Sequence, residues 1–175
     1  MPRLVATLVL AAAASVCTAA ELKRWEGGAA PPLALEDLSG RSHNLTDYKG
    51  KVVLVNFWAT WCEPCRAEMP ELQQLAQSLR DRPFTLYSVN LQEDAPTIDP
   101  FRGQVGFTQP VLLDEDGSVT RGYGVRALPA TFLIDQQGIL REQRLGPLVP
   151  GDADTAWSSV WVMRRVESLL GTAAR

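Results

Sequence analysis

Short apolar runs alternate with segments of helical spacing along this chain, a pattern that predicts a layered α/β domain. The run 52–58 is apolar almost throughout, which is typical of a central strand covered on both faces. Further strands are predicted at 84–91, 110–113 and 130–134, and a turn at 136–138 returns the chain along 139–145. Before them, 33–35 and 42–45 flank a turn and predict a short hairpin.

Helical spacing of apolar residues marks other parts of the chain. One predicted helix follows Trp61–Cys65, carries apolar residues from Met69 to Leu79, and is expected to kink at Pro70. A short helix is predicted at 97–107, and a short helix or loop ends near Tyr123. Asp152 or Asp154 is expected to cap the last helix. That helix carries, on one side, Val160, Met163, Val166 and Leu170.

The first twenty residues have the layout of a secretory signal peptide. One positive charge precedes an apolar stretch at 4–16, which is shorter than the roughly 20 residues needed to span a bilayer. Small residues follow, so cleavage is expected after Ala19 or Ala20. An uncleaved anchor is one alternative. Lipidation of Cys17 is another, although the bulky Val16 disfavours it.

The composition of the chain indicates its domain organisation and the kinds of partner it suits. Residues 21–32 are polar and contain Gly and Pro, so they predict a flexible lead to a single domain at 33–175. The chain has 175 residues, of which 46% are hydrophobic and 21% charged, and this suits one globular domain. A net charge of −3 without clustered Lys and Arg argues against a nucleic-acid partner. We expect a monomer.

Two cysteines, Cys62 and Cys65, remain of the three in the chain once a signal peptide is removed. A bridge across so short a loop removes little chain entropy, so redox chemistry explains the pair better than stability does. At a helix N-terminus, unpaired N–H groups and the macrodipole favour a thiolate at Cys62, the attacking species. Cys65, one turn later, would resolve the mixed disulfide. Pro64 suits this turn because its missing N–H would have no intrahelical partner there.

Half of a zinc site and a static disulfide are the alternative interpretations of such a pair. Zinc needs about four ligands, whereas the mature chain offers two Cys and a single His. That residue, His43, lies in the predicted hairpin and is expected at the surface or in packing. We therefore expect no metal and no other cofactor.

Two segments, 55–68 and 128–135, resemble the thioredoxin superfamily, and within it the exported thiol-disulfide reductases of the TlpA/ResA type. The resemblance spans roughly residues 33–147. It implies an α/β thioredoxin fold, with a central mixed sheet flanked by helices, an N-terminal β-hairpin and an insert at 93–107. It also implies that the Leu128–Pro129 bond is cis, faces the cysteines and offers backbone groups to an extended substrate.

The aromatic pair before the cysteines has two expected roles. Trp58 is expected in the core. Trp61, directly before Cys62, is expected in an exposed apolar rim that a substrate touches, with packing as the alternative.

Three acidic or amide residues bear on the chemistry. Asn56 stands where ordinary cytoplasmic thioredoxin keeps a buried Asp, and an amide cannot act as an acid or base. Glu68 follows Cys65 by three residues and matches a Glu of the TlpA/ResA group, so we predict that it moves or stabilises protons for the resolving cysteine. The alternative is a first-turn Glu favoured by the helix dipole. Glu93 is a second candidate to modulate the pair, and its alternative is a plain loop carboxylate.

The direction of the reaction is predicted from Glu63, which lies between the cysteines, where a negative charge disfavours a thiolate. Because the motif lacks a basic or His neighbour, we predict a reducing pair. The resemblance implies a membrane thiol carrier of the DsbD/CcdA type as electron donor, in the periplasm or elsewhere on the extracytoplasmic side of a membrane. It also implies cytochrome c-type biogenesis. The expected substrates are protein disulfides, at the heme-attachment cysteines of apocytochrome c or at copper-site cysteines.

Other functions stay open on the sequence alone. A general disulfide oxidase or isomerase would use the same pair. A Cu(I)-binding module would present both thiols to a soft ion, although no Met-rich or His-rich feature supports it. Peroxidase chemistry is disfavoured because the chain has Cys-x-x-Cys rather than a lone peroxidatic cysteine. A purely structural domain is disfavoured because both cysteines are intact.

Overall fold

The computed structural model describes residues 28–148 and 157–172 of the chain. Within these residues the backbone forms strands, α-helices and one 3-10 turn at Leu45–Tyr48. The strands are β1 Ala34–Glu36, β2 Ser42–Asn44, β3 Val52–Trp58, β4 Phe84–Leu91, β5 Val111–Asp114, β6 Ala130–Ile134 and β7 Leu140–Leu145. The helices are α1 Glu63–Ser78, α2 Ala95–Val105, α3 Ser118–Gly122 and α4 Ser159–Thr172.

Five strands form a mixed sheet in the order β5-β4-β3-β6-β7, and β1 pairs with β2 in a separate hairpin. Strands β3, β4 and β5 are parallel, whereas β6 runs antiparallel to β3 and β7 antiparallel to β6. Every residue of β3 is buried, as its apolar run predicts. The predicted thioredoxin fold with an N-terminal hairpin is therefore confirmed.

Alternate side chains of β3 enter two cores on opposite faces of the sheet. Leu54 and Trp58 pack in the core that includes residues of α1, α2 and α4. Val55 and Phe57 pack in the core on the other face, with residues of α3. Met69 is fully buried in the first core and anchors α1 there. Because α1 follows β3 after a short connection, its N-terminus lies at the carboxyl end of the central strand.

The last helix differs from its prediction in start and in buried face. It begins at Ser159, and the hydroxyl of Ser158 accepts a hydrogen bond from Trp161 N at 3.0 Å. The predicted capping residues, Asp152 and Asp154, lie outside the described residues. Of the predicted face, Val166 is buried, whereas Met163 and Leu170 are half-buried but pack against the same core and Val160 is half-buried; Val162 and Leu169 are also buried. Helix α1, by contrast, continues through Pro70 as one helix, and the kink stays a prediction.

The end of the predicted flexible lead is held against the domain. Ala30 N donates to Gly138 O at 2.9 Å, and Leu140 N donates to Gly28 O at 3.1 Å. Residues 28–32 therefore pack beside the β6–β7 turn. The predicted signal peptide, Cys17 and residues 21–27 lie outside the described residues. In 28–148 and 157–172, no helix has the length and apolar character to cross a bilayer.

A buried polar cluster fixes the β1–β2 hairpin. Asp37 is buried and accepts hydrogen bonds from Ser39 N at 2.8 Å, from Arg41 N at 3.2 Å and from His43 Nε2 at 2.7 Å. His43 is 5% exposed and also contacts the hydroxyl of Tyr48 at 3.1 Å, so it packs in the interior rather than at the surface. Burial would raise the pKa of Asp37, but the bonds from Ser39, His43 and Arg41 outweigh it and hold that pKa well below its ordinary value.

Replacing Asp37 with Asn is expected to lower the free energy of unfolding by about 2–3 kcal/mol near neutral pH, because charged-group hydrogen bonds are lost. The depressed pKa stabilises the fold above the ordinary Asp pKa, and this contribution is lost as pH falls through it. The difference between wild type and variant should therefore shrink below about pH 4. Urea unfolding at several pH values measures this difference in the free energy of unfolding. The exposed Asp47 offers the control Asp47→Asn, and an equal effect of both variants would contradict the assignment.

Candidate active site

Cys62 and Cys65 form a disulfide at the start of α1. Cys62 is the N-cap of the helix, and its sulfur accepts a hydrogen bond from Cys65 N at 3.3 Å. Pro64 lies in the first helical turn, where no intrahelical partner for an N–H exists. Cys65 is fully buried and Cys62 is 5% exposed, so Cys62 is the more accessible sulfur, but it is less exposed than its role as nucleophile predicts. Helix N-terminal N–H groups face the sulfur that must carry negative charge.

Glu93, in the connection between β4 and α2, holds the loop that leads into Cys62. Its Oε2 accepts hydrogen bonds from Thr60 N at 2.7 Å and from Asn90 Nδ2 at 2.8 Å. Its Oε1 accepts from the Thr60 hydroxyl at 2.5 Å. Thr60 lies two residues before Cys62, so this carboxylate fixes the backbone that positions the accessible sulfur.

Glu68 lies one helical turn after Cys65, on the inner face of α1, and is 1% exposed. Its Oε1 accepts from Asn56 Nδ2 at 2.8 Å and its Oε2 accepts from Leu148 N at 2.6 Å. Burial raises the pKa of Glu68 from 4.5 to about 7, although the Leu148 N–H, the Asn56 amide and the Arg144 cation each lower it. An acid with such a pKa exchanges protons at neutral pH.

The Leu128–Pro129 peptide bond is cis, as the resemblance implies. Ala130, which follows it, is paired with Phe57 at the carboxyl end of β3, so the cis bond lies at the same end of the sheet as the disulfide. Pro129 O accepts a hydrogen bond from Gly146 N at 2.8 Å. Pro129 is buried and Leu128 half-buried.

The two tryptophans of the motif differ in burial, as predicted. Trp58 is fully buried, and its ring lies 5.3 Å from that of Phe101 in α2. Trp61 is 69% exposed, which makes it an apolar surface beside Cys62. Its contact with a substrate stays a prediction.

Comparison with known proteins shows the family to which this chain belongs. A family model described as the AhpC/TSA family matches residues 27–143. The chain belongs to the AhpC/TSA family. It is 40% identical over 126 residues to the thiol-disulfide oxidoreductase ResA of Geobacillus thermodenitrificans, covering 72% of each chain. It is also 40% identical over 113 residues to ResA of Bacillus subtilis, covering 65% of this chain and 63% of that one.

A solved structure gives the same result for the fold. The thiol:disulfide interchange protein of the thioredoxin family from Chlorobium tepidum superposes with a TM-score of 0.70 at 26% identity, covering 84% of this chain and 99% of that one. The predicted relation to thioredoxin-like exchange proteins of the ResA type is confirmed. With the disulfide at the start of α1, this member of the AhpC/TSA family is a thiol-disulfide oxidoreductase.

The charge next to the cysteines differs from the prediction in one respect. Glu63 is exposed in the first turn of α1, but Arg66 directly follows Cys65 and forms an ion pair with Glu63 at 3.8 Å. The Arg66 guanidinium also lies over the ring of Phe101, 5.4 Å from its centroid. The motif therefore has a basic neighbour, which offsets part of the unfavourable effect of Glu63 on a thiolate.

Several partners of the site could not be found from the sequence pattern. Leu148 N reaches Glu68 from 80 positions away along the chain, and Thr60 meets Glu93 across 33 positions. Arg144 lies in β7 and donates to Pro147 O at 2.9 Å, beside the segment that contacts Glu68. Among the described residues, no three His, Cys, Asp or Glu side chains form a group that could hold a metal ion.

Replacing Glu93 with Ala is expected to slow disulfide exchange roughly 10-fold, because the two hydrogen bonds that hold Thr60, and the one from Asn90 that holds the carboxylate, are lost. Glu93→Gln should retain most of the rate, since its oxygen can still accept from Thr60 N and its amide can donate to the Thr60 hydroxyl. Alkylation of reduced Cys62 and insulin reduction measure both variants.

The exposed Glu115 supplies the control Glu115→Ala, for which no change is expected. Equal rates for Glu93→Ala and wild type would show that the loop keeps its position without this carboxylate.

Proposed function

We propose that this protein is an exported reductase of protein disulfides. The observation that carries the proposal is the Cys62–Cys65 disulfide at the N-cap of α1, with the buried carboxyl of Glu68 one turn below it. The helix N-terminus supports a thiolate at Cys62. A carboxyl with a pKa of about 7 supports proton exchange with Cys65 at neutral pH.

The reaction starts from the reduced enzyme. The Cys62 thiolate attacks one sulfur of the substrate disulfide, forms a mixed disulfide and releases the other substrate sulfur as a thiolate. Cys65 then gives its proton to the Glu68 carboxylate and attacks the Cys62 sulfur. This step closes the Cys62–Cys65 disulfide and frees the second substrate sulfur, so two electrons pass to the substrate. An external dithiol returns two electrons to the enzyme.

Recognition of the substrate is assigned to the surface around the pair. Trp61 offers an exposed apolar face next to Cys62. The cis-Pro loop at Leu128 and Pro129 lies at the same end of the sheet and supports backbone pairing with an extended client segment. Glu63, Pro64 and Glu93 modulate the pair through charge and loop position.

The proposed setting is the periplasm or another extracytoplasmic space, reached through the predicted signal peptide at 1–20. There, disulfides are regenerated by oxidation, so a reductase needs electrons from a membrane donor such as a thiol carrier of the DsbD/CcdA type. The proposed clients are the heme-attachment cysteines of apocytochrome c, in cytochrome c-type biogenesis, or copper-site cysteines.

Two measurements on the purified protein test the direction. Equilibration with glutathione or dithiothreitol gives the reduction potential, which we expect to be clearly more negative than about −150 mV. In parallel, insulin reduction should be faster than oxidation of a reduced test protein. A higher potential together with faster oxidation would instead assign the protein as a disulfide oxidase or isomerase.

A further inference from the structure

A row of buried polar side chains crosses the central sheet beneath Glu68. Asn56 on β3 is paired with Ser88 on β4 and with Thr131 on β6, and all three are fully buried. Paired residues of adjacent strands point to the same face of a sheet. Asn56 therefore lies between two hydroxyl groups, with the Glu68 carboxyl above it.

Only one side of the Asn56 amide is bonded. Its Nδ2 donates to Glu68 Oε1 at 2.8 Å and to the Thr131 hydroxyl at 3.1 Å. Its Oδ1 and the Ser88 hydroxyl are both buried without a hydrogen-bond partner. Because Nδ2 is directed toward Thr131, Oδ1 is directed to the opposite side, where β4 places Ser88. Buried polar groups without partners are rare in native proteins and require a reason.

We propose that the side-chain amide of Asn56 turns over when Glu68 takes up a proton, so that Asn56 hydrogen-bonds both forms of this carboxyl. With Glu68 ionised, Nδ2 donates to its Oε1, as observed. With Glu68 protonated on Oε1, the turned amide places Oδ1 there to accept the new O–H. Nδ2 then takes the place of Oδ1 on the Ser88 side of the row. The inference rests on proton uptake by Glu68, which is part of the proposed function.

The neighbouring groups tolerate both positions of the amide. The Thr131 hydroxyl can accept from Nδ2 or donate to Oδ1. The terminal torsion of Asn is broad and roughly two-fold, and its oxygen and nitrogen fill nearly the same space. Leu148 N continues to donate to Glu68 Oε2 in both states. The covalent change is one O–H bond on Glu68, whose proton comes from the Cys65 thiol during the reaction and from solvent in a titration.

The charged groups that face Glu68 allow this change at neutral pH. Arg144 on β7 favours the ionised form, and Arg144 in turn has its pKa lowered by burial and raised by Glu68. On α1 the facing titratable groups are the thiols of Cys62 and Cys65 when the pair is reduced. Within the described residues, the β3, β4 and β6 side chains of this row are neutral: Asn56, Ser88 and Thr131.

Nuclear Overhauser contacts of the Asn56 amide in the oxidised, isotope-labelled protein test the proposal. Spectra at about pH 9 and about pH 5 bracket the pKa of Glu68. At the higher pH, the Asn56 δ-NH2 protons should contact Thr131 and Glu68. At the lower pH they should contact the Ser88 β-protons instead, and the change should follow the titration of the Glu68 carboxyl carbon.

Two controls come from the chain itself. Glu68→Gln keeps the side-chain shape but stays neutral, so its Asn56 should show the low-pH contacts at both pH values. Asn90 is also a fully buried Asn, but its Nδ2 is held by Glu93 at 2.8 Å, so its contacts should be the same at both pH values. Failure of either control would overturn the assignment of the change to Glu68.

The outcomes separate this inference from the proposed function. Unchanged Asn56 contacts while the Glu68 carbon titrates would overturn the amide rotation and leave the proton role of Glu68 intact. A Glu68 carbon that does not titrate would overturn both. Rotation in a protein that fails to reduce insulin would support the inference and reject the reductase.

A variant gives a second, independent measurement. If Asn56 bonded only the ionised form, Asn56→Leu would raise the pKa of Glu68 by about one pH unit or more. If Asn56 hydrogen-bonds both the ionised and the protonated form of Glu68, Asn56→Leu should shift the pKa of Glu68 by well under half of a pH unit. A full shift would overturn the proposal. The contacts measured in the wild type decide the question if this variant fails to fold.

Discussion

Replacing Cys65 with Ser is expected to stop turnover and leave the client attached to Cys62. Cys62 keeps its place at the N-cap of α1 and remains able to attack a disulfide. The serine hydroxyl cannot displace the client sulfur, so the mixed disulfide accumulates. We expect insulin reduction to fall by about 10³-fold or more. Mass spectrometry of the trapped species, under non-reducing conditions, would identify the attached protein.

Cys62→Ser is the matched variant, and it should lose activity to a similar extent without trapping a client. The two variants have the same composition and remove the same disulfide, so a difference in trapping reports the role of each sulfur. The roles would be reversed if the adduct formed in Cys62→Ser and not in Cys65→Ser.

Replacing Glu68 with Gln is expected to stabilise the protein above neutral pH and to slow its reaction. Burial raises the pKa of Glu68 from 4.5 to about 7, so the native state binds more protons than the unfolded state between those values. Wild-type stability therefore falls as pH rises through this window. At higher pH the remaining penalty of a buried charge is on the order of 3 kcal/mol. Glutamine carries no such penalty.

Urea unfolding between about pH 4 and pH 9 measures this effect. Wild type and Glu68→Gln should have similar stability below about pH 4.5, and the variant should be the more stable above about pH 7. Because glutamine cannot take the proton of Cys65, insulin reduction should fall by about 10²-fold. Glu71→Gln, on the same helix, is the control and should change neither property. Parallel stability curves for wild type and Glu68→Gln would contradict the raised pKa.

The strands were predictable because their information is local. The run 52–58 is apolar almost throughout and forms β3 with the predicted bounds, and the same holds for β4 at 84–91. The turn predicted at 136–138 likewise places the β6–β7 hairpin. In such segments the local pattern of apolar residues is enough to predict which residues are buried.

The last helix shows where local information fails. Its sequence has apolar residues on more than one side, and packing on the sheet selects Val162, Val166 and Leu169. His43 is a similar case, because a single polar residue in a short hairpin gives no sign of burial. Its Nε2 is hydrogen-bonded to the buried Asp37, which directly follows β1.

The sequence was enough to predict which residues form the site, but not which groups hydrogen-bond to them. Cys62, Cys65, Glu68 and Glu93 stand out by position in the motif or by resemblance. The groups that hydrogen-bond the carboxylates come from other elements of the chain: Thr60 for Glu93, and Asn56 and Leu148 for Glu68. Only the folded sheet brings these groups together, and no spacing rule relates them.

Glu93 immediately precedes Asp94, the N-cap of α2, so Glu93 connects α2 to the loop before Cys62. A client that shifts α2 on docking would also move the carboxylate that restrains Thr60. Exchanging residues 95–105 between relatives would then alter the intrinsic reactivity of Cys62 even toward a small disulfide that never contacts the insert. For clients that dock on α2, preference and sulfur reactivity would therefore be coupled.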